Sequence, residues 1–161
     1  MTGHAPLSHE ALERELGSQV ERSWQSFGMP VLELRAENLL ALVDTLRERF
    51  DFTLFLDVTA IDYPERSPRF DVVYHLYSPR HNQRVRLKMA VPAEPPSVPT
   101  LTARYGSARY MEREVHDMYG IGFAGNEDLR PILLYEGFVG HPLRKDYPIE
   151  HEQPMVQYRD A

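Results

Sequence analysis

TLFLDVTAID (Thr53–Asp62), RFDVVYHLY (Arg69–Tyr77) and RVRLKMAV (Arg84–Val91) decide the fold. Each alternates apolar and polar residues with the period of two that a half-buried strand requires. Leu54, Leu56, Val58 and Ala60 fall on one face of the first strand, and Phe70, Val72, Tyr74 and Leu76 on one face of the second. Val85, Leu87, Met89 and Val91 point inward from the third, with Arg84, Arg86 and Lys88 outward. The turn clusters Tyr63–Pro68 and Ser78–Asn82 separate them. Connections this short favour an antiparallel meander.

Upstream, Val31–Arg35 reads as another strand. Leu39, Leu40, Leu42, Val43, Leu46 and Phe50 recur at helical spacing, predicting a helix over about 36–49. A strand–helix–strand order favours a parallel crossover. Ser8 is a natural N-cap for a short first helix, with Leu7 stapling onto Leu12 and Gly17 stopping it. Downstream, Pro92, Pro95, Pro96 and Pro99 make a rigid link over 92–99. Beyond it, Ser107 is placed to cap a helix over about 108–119. Ala108, Met111, Val115 and Met118 form its apolar stripe, and Gly120 ends it in the left-handed conformation. The fold expected is α+β: a mixed four-stranded sheet, β-α-β-β-β, with helices on one face.

Periodicity disappears after Gly120. Four glycines and four prolines from Gly122 to Pro154 forbid long regular elements, yet Ile132, Leu133, Leu134, Phe138, Leu143 and Tyr147 are too apolar for a disordered tail. The division expected is therefore a domain over 1–119 and an extended C-terminal arm over 120–161, with the arm's apolar side chains buried against another protein or the domain's flank.

Composition narrows the function. The net charge of −6 argues against nucleic acid, whose phosphates need a basic footprint. There is no cysteine, so neither disulfides nor thiolate-ligated clusters are available. No apolar run reaches the roughly 18 residues of a spanning helix, and the N-terminus lacks a secretion signal. The expectation is a soluble protein that meets membranes only through partners.

Two strings carry the chemistry: EREVHDMYGI (Glu112–Ile121) and GHPLRKDYP (Gly140–Pro148). Glu112 and His116 share a helix face, as do Arg113 and Asp117, so helical ion pairs on a solvated face are one reading. A metal site is another, but Glu112 and His116 supply two ligands and spacing prescribes no third. The third reading is an interface, because Glu112, Arg113, Glu114 and Asp117 cluster beside the arm. In the second string Pro142 and Pro148 fix the backbone at both ends, and Arg144 offers bidentate pairing to a partner. No G-x-S-x-G elbow, G-x-G-x-x-G or Walker loop is present, so neither a hydrolase triad nor NADH or ATP binding is supported.

Together the strings resemble the 30 kDa-subunit family of bacterial NADH:quinone oxidoreductase, respiratory complex I. The likeness covers roughly residues 30–148. Its specific part runs from Glu112-Arg113-Glu114 and Asp117-Met118-Tyr119-Gly120-Ile121 through Asp128-Leu129-Arg130 to Gly140-His141-Pro142-Leu143-Arg144-Lys145-Asp146 and Pro148. The resemblance implies a structural subunit without a cofactor of its own in the enzyme's peripheral arm. FMN and Fe-S clusters would lie in partner subunits. It would sit beside the hydrogenase-like quinone-site subunit and the subunit with the terminal Fe-S cluster, on the cytoplasmic face of the inner membrane. No catalytic residue is implied. The implied interface is Glu112, Arg113, Glu114, Asp117, Tyr119, Gly120, Phe138, His141, Pro142, Leu143, Arg144, Lys145, Asp146 and Tyr147. The alternatives are the equivalent subunit of a membrane-bound hydrogenase or another complex I-like oxidoreductase, and a free-standing binding module or small enzyme using the Glu112–Asp117 face.

Overall fold

The computed structural model describes residues 6–151. Seven strands and three α-helices follow in the order α1 (His9–Leu16), β1 (Arg22–Ser26), β2 (Met29–Glu33), α2 (Leu39–Phe50), β3 (Leu54–Asp62), β4 (Phe70–Ser78), β5 (Gln83–Val91), β6 (Ser97–Pro99), α3 (Ala108–Tyr119) and β7 (Gly122–Ala124). The main sheet has the order β1-β2-β5-β4-β3. β3, β4 and β5 form the expected antiparallel meander. β2 runs parallel to β5, so the α2 crossover from β2 to β3 skips two strands and carries the chain to the far edge.

The α+β class holds, but the sheet has five strands and not four. The additional strand, β1, pairs antiparallel with β2. RSWQS has a single large apolar residue and no alternation, so burial leaves no pattern to read there. Its hairpin turn is equally disguised. Phe27 and Gly28 both take positive φ, 49° and 77°, where the usual signal is Asn-Gly or Asp-Gly.

The face assigned to β3 also needs correction. Its register shifts between Phe55 and Asp57. This bulge turns Phe55 inward and leaves Leu54 about half exposed, while Val58 and Ala60 stay inside as expected. A strict period of two cannot show an inserted residue. The inward faces of β4 and β5 are as read, with Phe70, Val72, Tyr74, Leu76, Val85, Leu87, Met89 and Val91 all buried.

Ser8 caps α1, its hydroxyl accepting from the Ala11 amide at 3.2 Å. Gly120 ends α3 with φ 71°. Ser107 makes no side-chain cap; its own backbone is already helical, which points the hydroxyl away from the first turn's amides. One contiguous core joins Leu12 and Leu16 of α1, Leu39, Leu42, Val43 and Leu46 of α2, Ala108 and Val115 of α3, and the inward sheet residues. The proline-rich link is not only a spacer. Its residues Ser97–Pro99 form β6, which pairs parallel with β7 and buries Val98, Ile121 and Phe123 in the same core.

Candidate functional site

Helix α3 presents its charged residues in three directions. Glu112 lies beside Ala108, Met111 and Val115 on the wheel, so the stripe that enters the core takes it inside; it is 0% exposed. Its Oε2 accepts from the Thr100 hydroxyl at 2.6 Å and Asn126 Nδ2 at 2.9 Å, and its Oε1 from the Leu101 amide at 2.8 Å. The carboxylate thus ties the segment after β6, the helix and the turn after β7 at one point. Burial pushes its pKa up; the three hydrogen bonds pull the other way without prevailing.

Asp117, 5% exposed, faces the arm. Its Oδ2 accepts from three consecutive amides, Ile132 at 2.7 Å, Leu133 at 2.9 Å and Leu134 at 3.3 Å. Burial raises its pKa, but those donors and the nearby His116 overcome it, and the net shift is downward. Such a run of amides converging on one oxygen is an anion nest filled by a side chain. Arg113 works beside it, donating Nε to the Arg130 carbonyl at 2.8 Å and a terminal nitrogen to the Pro131 carbonyl at 2.7 Å. Glu114 is exposed.

The helical pairs expected within α3 are therefore absent. Glu112 does not meet His116, whose Nδ1 lies 3.1 Å from the Ile121 carbonyl, and Arg113 does not meet Asp117. Tertiary partners offer the two carboxylates three donors each, and Arg113 two carbonyl acceptors, more than a helix neighbour can. Among the described residues, no three His, Asp or Glu side chains gather as metal ligands.

The second string docks on the end of α3 and on the sheet. His141 donates through Nδ1 to the Asp117 carbonyl at 2.9 Å; the Leu143 amide donates to the Met118 carbonyl at 3.1 Å; Arg144 Nε donates to the Tyr119 carbonyl at 2.6 Å. These carbonyls are the ones a helix C-terminus leaves without internal partners. Gly120 is required twice here. Its φ is left-handed, and the His141 ring and Arg144 guanidinium occupy the space a Cβ would take. Arg144 also lies over the Phe70 ring, 5.4 Å from its centroid. Pro142 is half-buried and Leu143 exposed. Phe138 stands between Tyr135 and Tyr147, ring centroids 5.5 and 6.2 Å away.

Two residues that the motif strings do not include complete the dock. Asp62, at the end of β3, accepts from Arg69 through both oxygens at 2.7 and 2.8 Å and from the Lys145 amide at 2.8 Å. Arg69 in turn reaches Asp146 at 2.8 Å. The Arg69 guanidinium holds the Asp62 pKa below the usual carboxylate range. A signal existed: Asp62 continues the inward parity of Val58 and Ala60, and a charge at a core position needs a partner. Thr100, Leu101 and Asn126 carried no comparable signal.

The arm's backbone is better anchored than its apolar side chains are covered. Leu133 is 62%, Val139 69% and Ile149 98% exposed, and Ile132 and Tyr135 are each about two-fifths exposed.

Residues 32–153 match the family model described as "Respiratory-chain NADH dehydrogenase, 30 Kd subunit". The C subunit of the NADH-quinone oxidoreductase of Sinorhizobium medicae is 50% identical over 135 residues, covering 83% of this chain and 67% of that protein. A C subunit of the NADH-quinone oxidoreductase of Rhizobium meliloti is 47% identical over 140 residues, covering 86% and 69%. Among solved structures, a "trypsin-resistant fragment (1-134)" of Nqo5 superposes with a TM-score of 0.67 at 31% identity, covering 74% of this chain and 98% of that one. A chain of an archaeal membrane-bound sulfane sulfur reductase shares the fold, TM-score 0.75 at 20% identity, over 94% of this chain and 95% of that one.

Proposed function

The chain belongs to the family of the respiratory-chain NADH dehydrogenase 30 kDa subunit, and we propose that it acts there as a positioning subunit whose C-terminal arm, the part of 120–161 that follows β7, docks on its neighbours. It is a peripheral-arm subunit of NADH:quinone oxidoreductase. The enzyme carries electrons from NADH to quinone, and this chain supplies architecture to that path. With no cysteine it offers a cluster no thiolate. FMN and the clusters belong to partner subunits, and the neighbours in contact are the hydrogenase-like quinone-site subunit and the one with the terminal Fe-S cluster. The complex holds the chain at the cytoplasmic face of the inner membrane; none of the described helices is long and apolar enough to cross it.

The observation that carries this reading is the mismatch within the arm. Its backbone is anchored by Asp117, Arg113 and Asp62 and its Asp146 side chain by Arg69, while Leu133, Val139, Leu143 and Ile149 turn outward. A chain selected to be complete alone would bury those side chains, since each buried one contributes roughly 1.5–3 kcal/mol. Held in place but uncovered, they form a preorganised apolar surface for association. The trypsin-resistant fragment of Nqo5, which corresponds to 74% of this chain, supports a separation between a resistant domain and a more accessible arm.

In this reading Glu112, Arg113, Asp117, Tyr119, Gly120, His141, Arg144, Lys145 and Asp146 position the arm, and Phe138, Pro142, Leu143, Tyr147 and the exposed Glu114 meet partners. Purifying the membrane complex through a tag on this chain tests it. The quinone-site and cluster subunits should co-purify stoichiometrically with NADH:quinone reductase activity; recovery of the tagged chain alone would overturn the proposal.

A further inference from the structure

At the opposite end of β3 and β4 from the arm's dock, the outer face of the sheet carries a feature that none of the clamps uses. Strand rise separates the two ends by about 25 Å. Leu54, Tyr77 and Arg84 stand in register across β3, β4 and β5, forming the floor of an open concavity of about 960 Å³. Leu56, Met29 and the hairpin tip at Phe27 make its walls.

Three observations set this concavity apart from the rest of the surface. Phe27 is fully exposed with φ 49°. A left-handed residue is normally Gly, Asn or Asp, and Phe has no short polar side chain to offset the strain. Neither backbone nor core explains a phenylalanine there. Leu54 is exposed because the β3 bulge turns it outward, so an irregularity of the strand places a second apolar side chain in the same hollow. Arg84 is exposed and its side chain has no hydrogen-bond or ion-pair partner among the described residues.

The surrounding polar groups are already engaged. Tyr77 donates its hydroxyl to Asn82 at 2.6 Å. His75 accepts at Nε2 from Arg86 at 2.8 Å, so its Nδ1 proton goes to Asp57 at 2.6 Å. The hollow therefore sets the apolar side chains of Phe27, Met29, Leu54 and Leu56 beside a guanidinium that has no partner among the described residues.

Resting on the subunit reading above, we propose that this hollow is a second docking surface, occupied by an acidic–apolar segment of another subunit of the complex. An apolar side chain of that segment sits among Phe27, Met29 and Leu54, and a carboxylate next to it pairs with Arg84. The planar fork of arginine matches a carboxylate with two parallel hydrogen bonds. An anionic lipid surface or a nucleic acid fits poorly, because both call for several clustered cations, whereas among the described residues the hollow's lining includes one unpaired cation, Arg84, together with Asp57, on a chain of net charge −6.

The test uses the full-length chain in the purified complex, with the photoreactive p-benzoyl-phenylalanine at position 27. Irradiation and mass spectrometry should find one adduct, on a segment of another subunit with an Asp or Glu beside the attachment point. Arg84→Glu should lower adduct yield several-fold while Arg84→Lys retains most of it, and the same label at Tyr110, exposed on α3, should not reach that segment. An adduct to lipid, to a second copy of this chain, or no adduct in a complex with this chain at full stoichiometry overturns the docking surface and leaves the subunit reading standing. Failure of the chain to co-purify at all overturns both.

Discussion

In the sheet, Leu32, Phe70, Val72, Leu76 and Leu87 are all 0% exposed, and they belong to one core with residues of all three α-helices. In the arm, Leu133 and Val139 are more than half exposed, and position is fixed by Asp117, Arg113, Asp62 and Arg69. The two regions are stabilised by different physics. Apolar burial is non-directional and cooperative, so what the sheet requires of its core side chains is apolar volume that fills the space rather than particular partners. Charge-assisted hydrogen bonds are directional and few, so they set where a segment lies without making it compact. A segment held that way keeps its apolar surface for something else.

The sharpest way to break the comparison is to show that the arm shares the core's stability. Leu87→Ala removes a fully buried side chain from the middle of the sheet and should cost about 2–5 kcal/mol. Urea unfolding of the isolated chain measures it as a shift of the core's midpoint, and the arm should come free at lower urea than the core in the variant as in the parent chain; loss of both regions in one transition would break the comparison. Glu112→Ala comes next. It strands the buried Leu101 amide and the Thr100 and Asn126 donors, at roughly 1–3 kcal/mol for each donor that water cannot reach. Unfolding should shift by about 2–4 kcal/mol on that basis, and a shift no larger than an exposed charge produces would remove Glu112 from the joint.

Asp117→Asn and Arg113→Met should behave differently from both. The core's unfolding midpoint should barely move, whereas trypsin should cut sooner in the arm and the yield of assembled complex should fall. Activity per assembled complex should stay near normal. Assembly at normal yield with lost turnover would give these residues a role in the chemistry and sink the architectural assignment.

The smallest effect is with pH. Asp117 and Asp62 have lowered pKa values in the fold, so their contribution is present above the unfolded value and lost as pH falls through the lowered one, below about 4. Glu112 is raised, so its contribution is full below its unfolded value and declines as pH rises through the raised one. Acidification should therefore free the arm while leaving the joint at Leu101 intact. Hydrogen exchange at Ile132–Leu134 and Lys145 should accelerate below about pH 4 before exchange at Leu101 does. Simultaneous loss would mean that one cooperative unit includes both.

Much of this molecule is legible in its residues. The β3–β5 alternation, the α2 wheel and the left-handed stop at Gly120 are local patterns, and local patterns report which face of an element meets the core. The motif strings around Glu112 and His141 are enough to identify the family. The absence of cysteine alone removes thiolate ligation. What local patterns cannot report is where a charge finds its partner. Along the chain Glu112 and Asp117 admit solvation and pairing with helix neighbours as well as the interface that their clustering beside the arm favours. Only the tertiary structure sends one to Thr100, Leu101 and Asn126 and the other to the amides of 132–134. The same holds for β1, whose strand exists because β2 offers it an edge, and for the bulge that reverses Leu54 and Phe55. It holds most of all for Asp62, which meets Lys145 across 83 residues of chain. Periodicity is a property of neighbours along the chain, whereas a polar clamp is made when the core has already brought distant segments together.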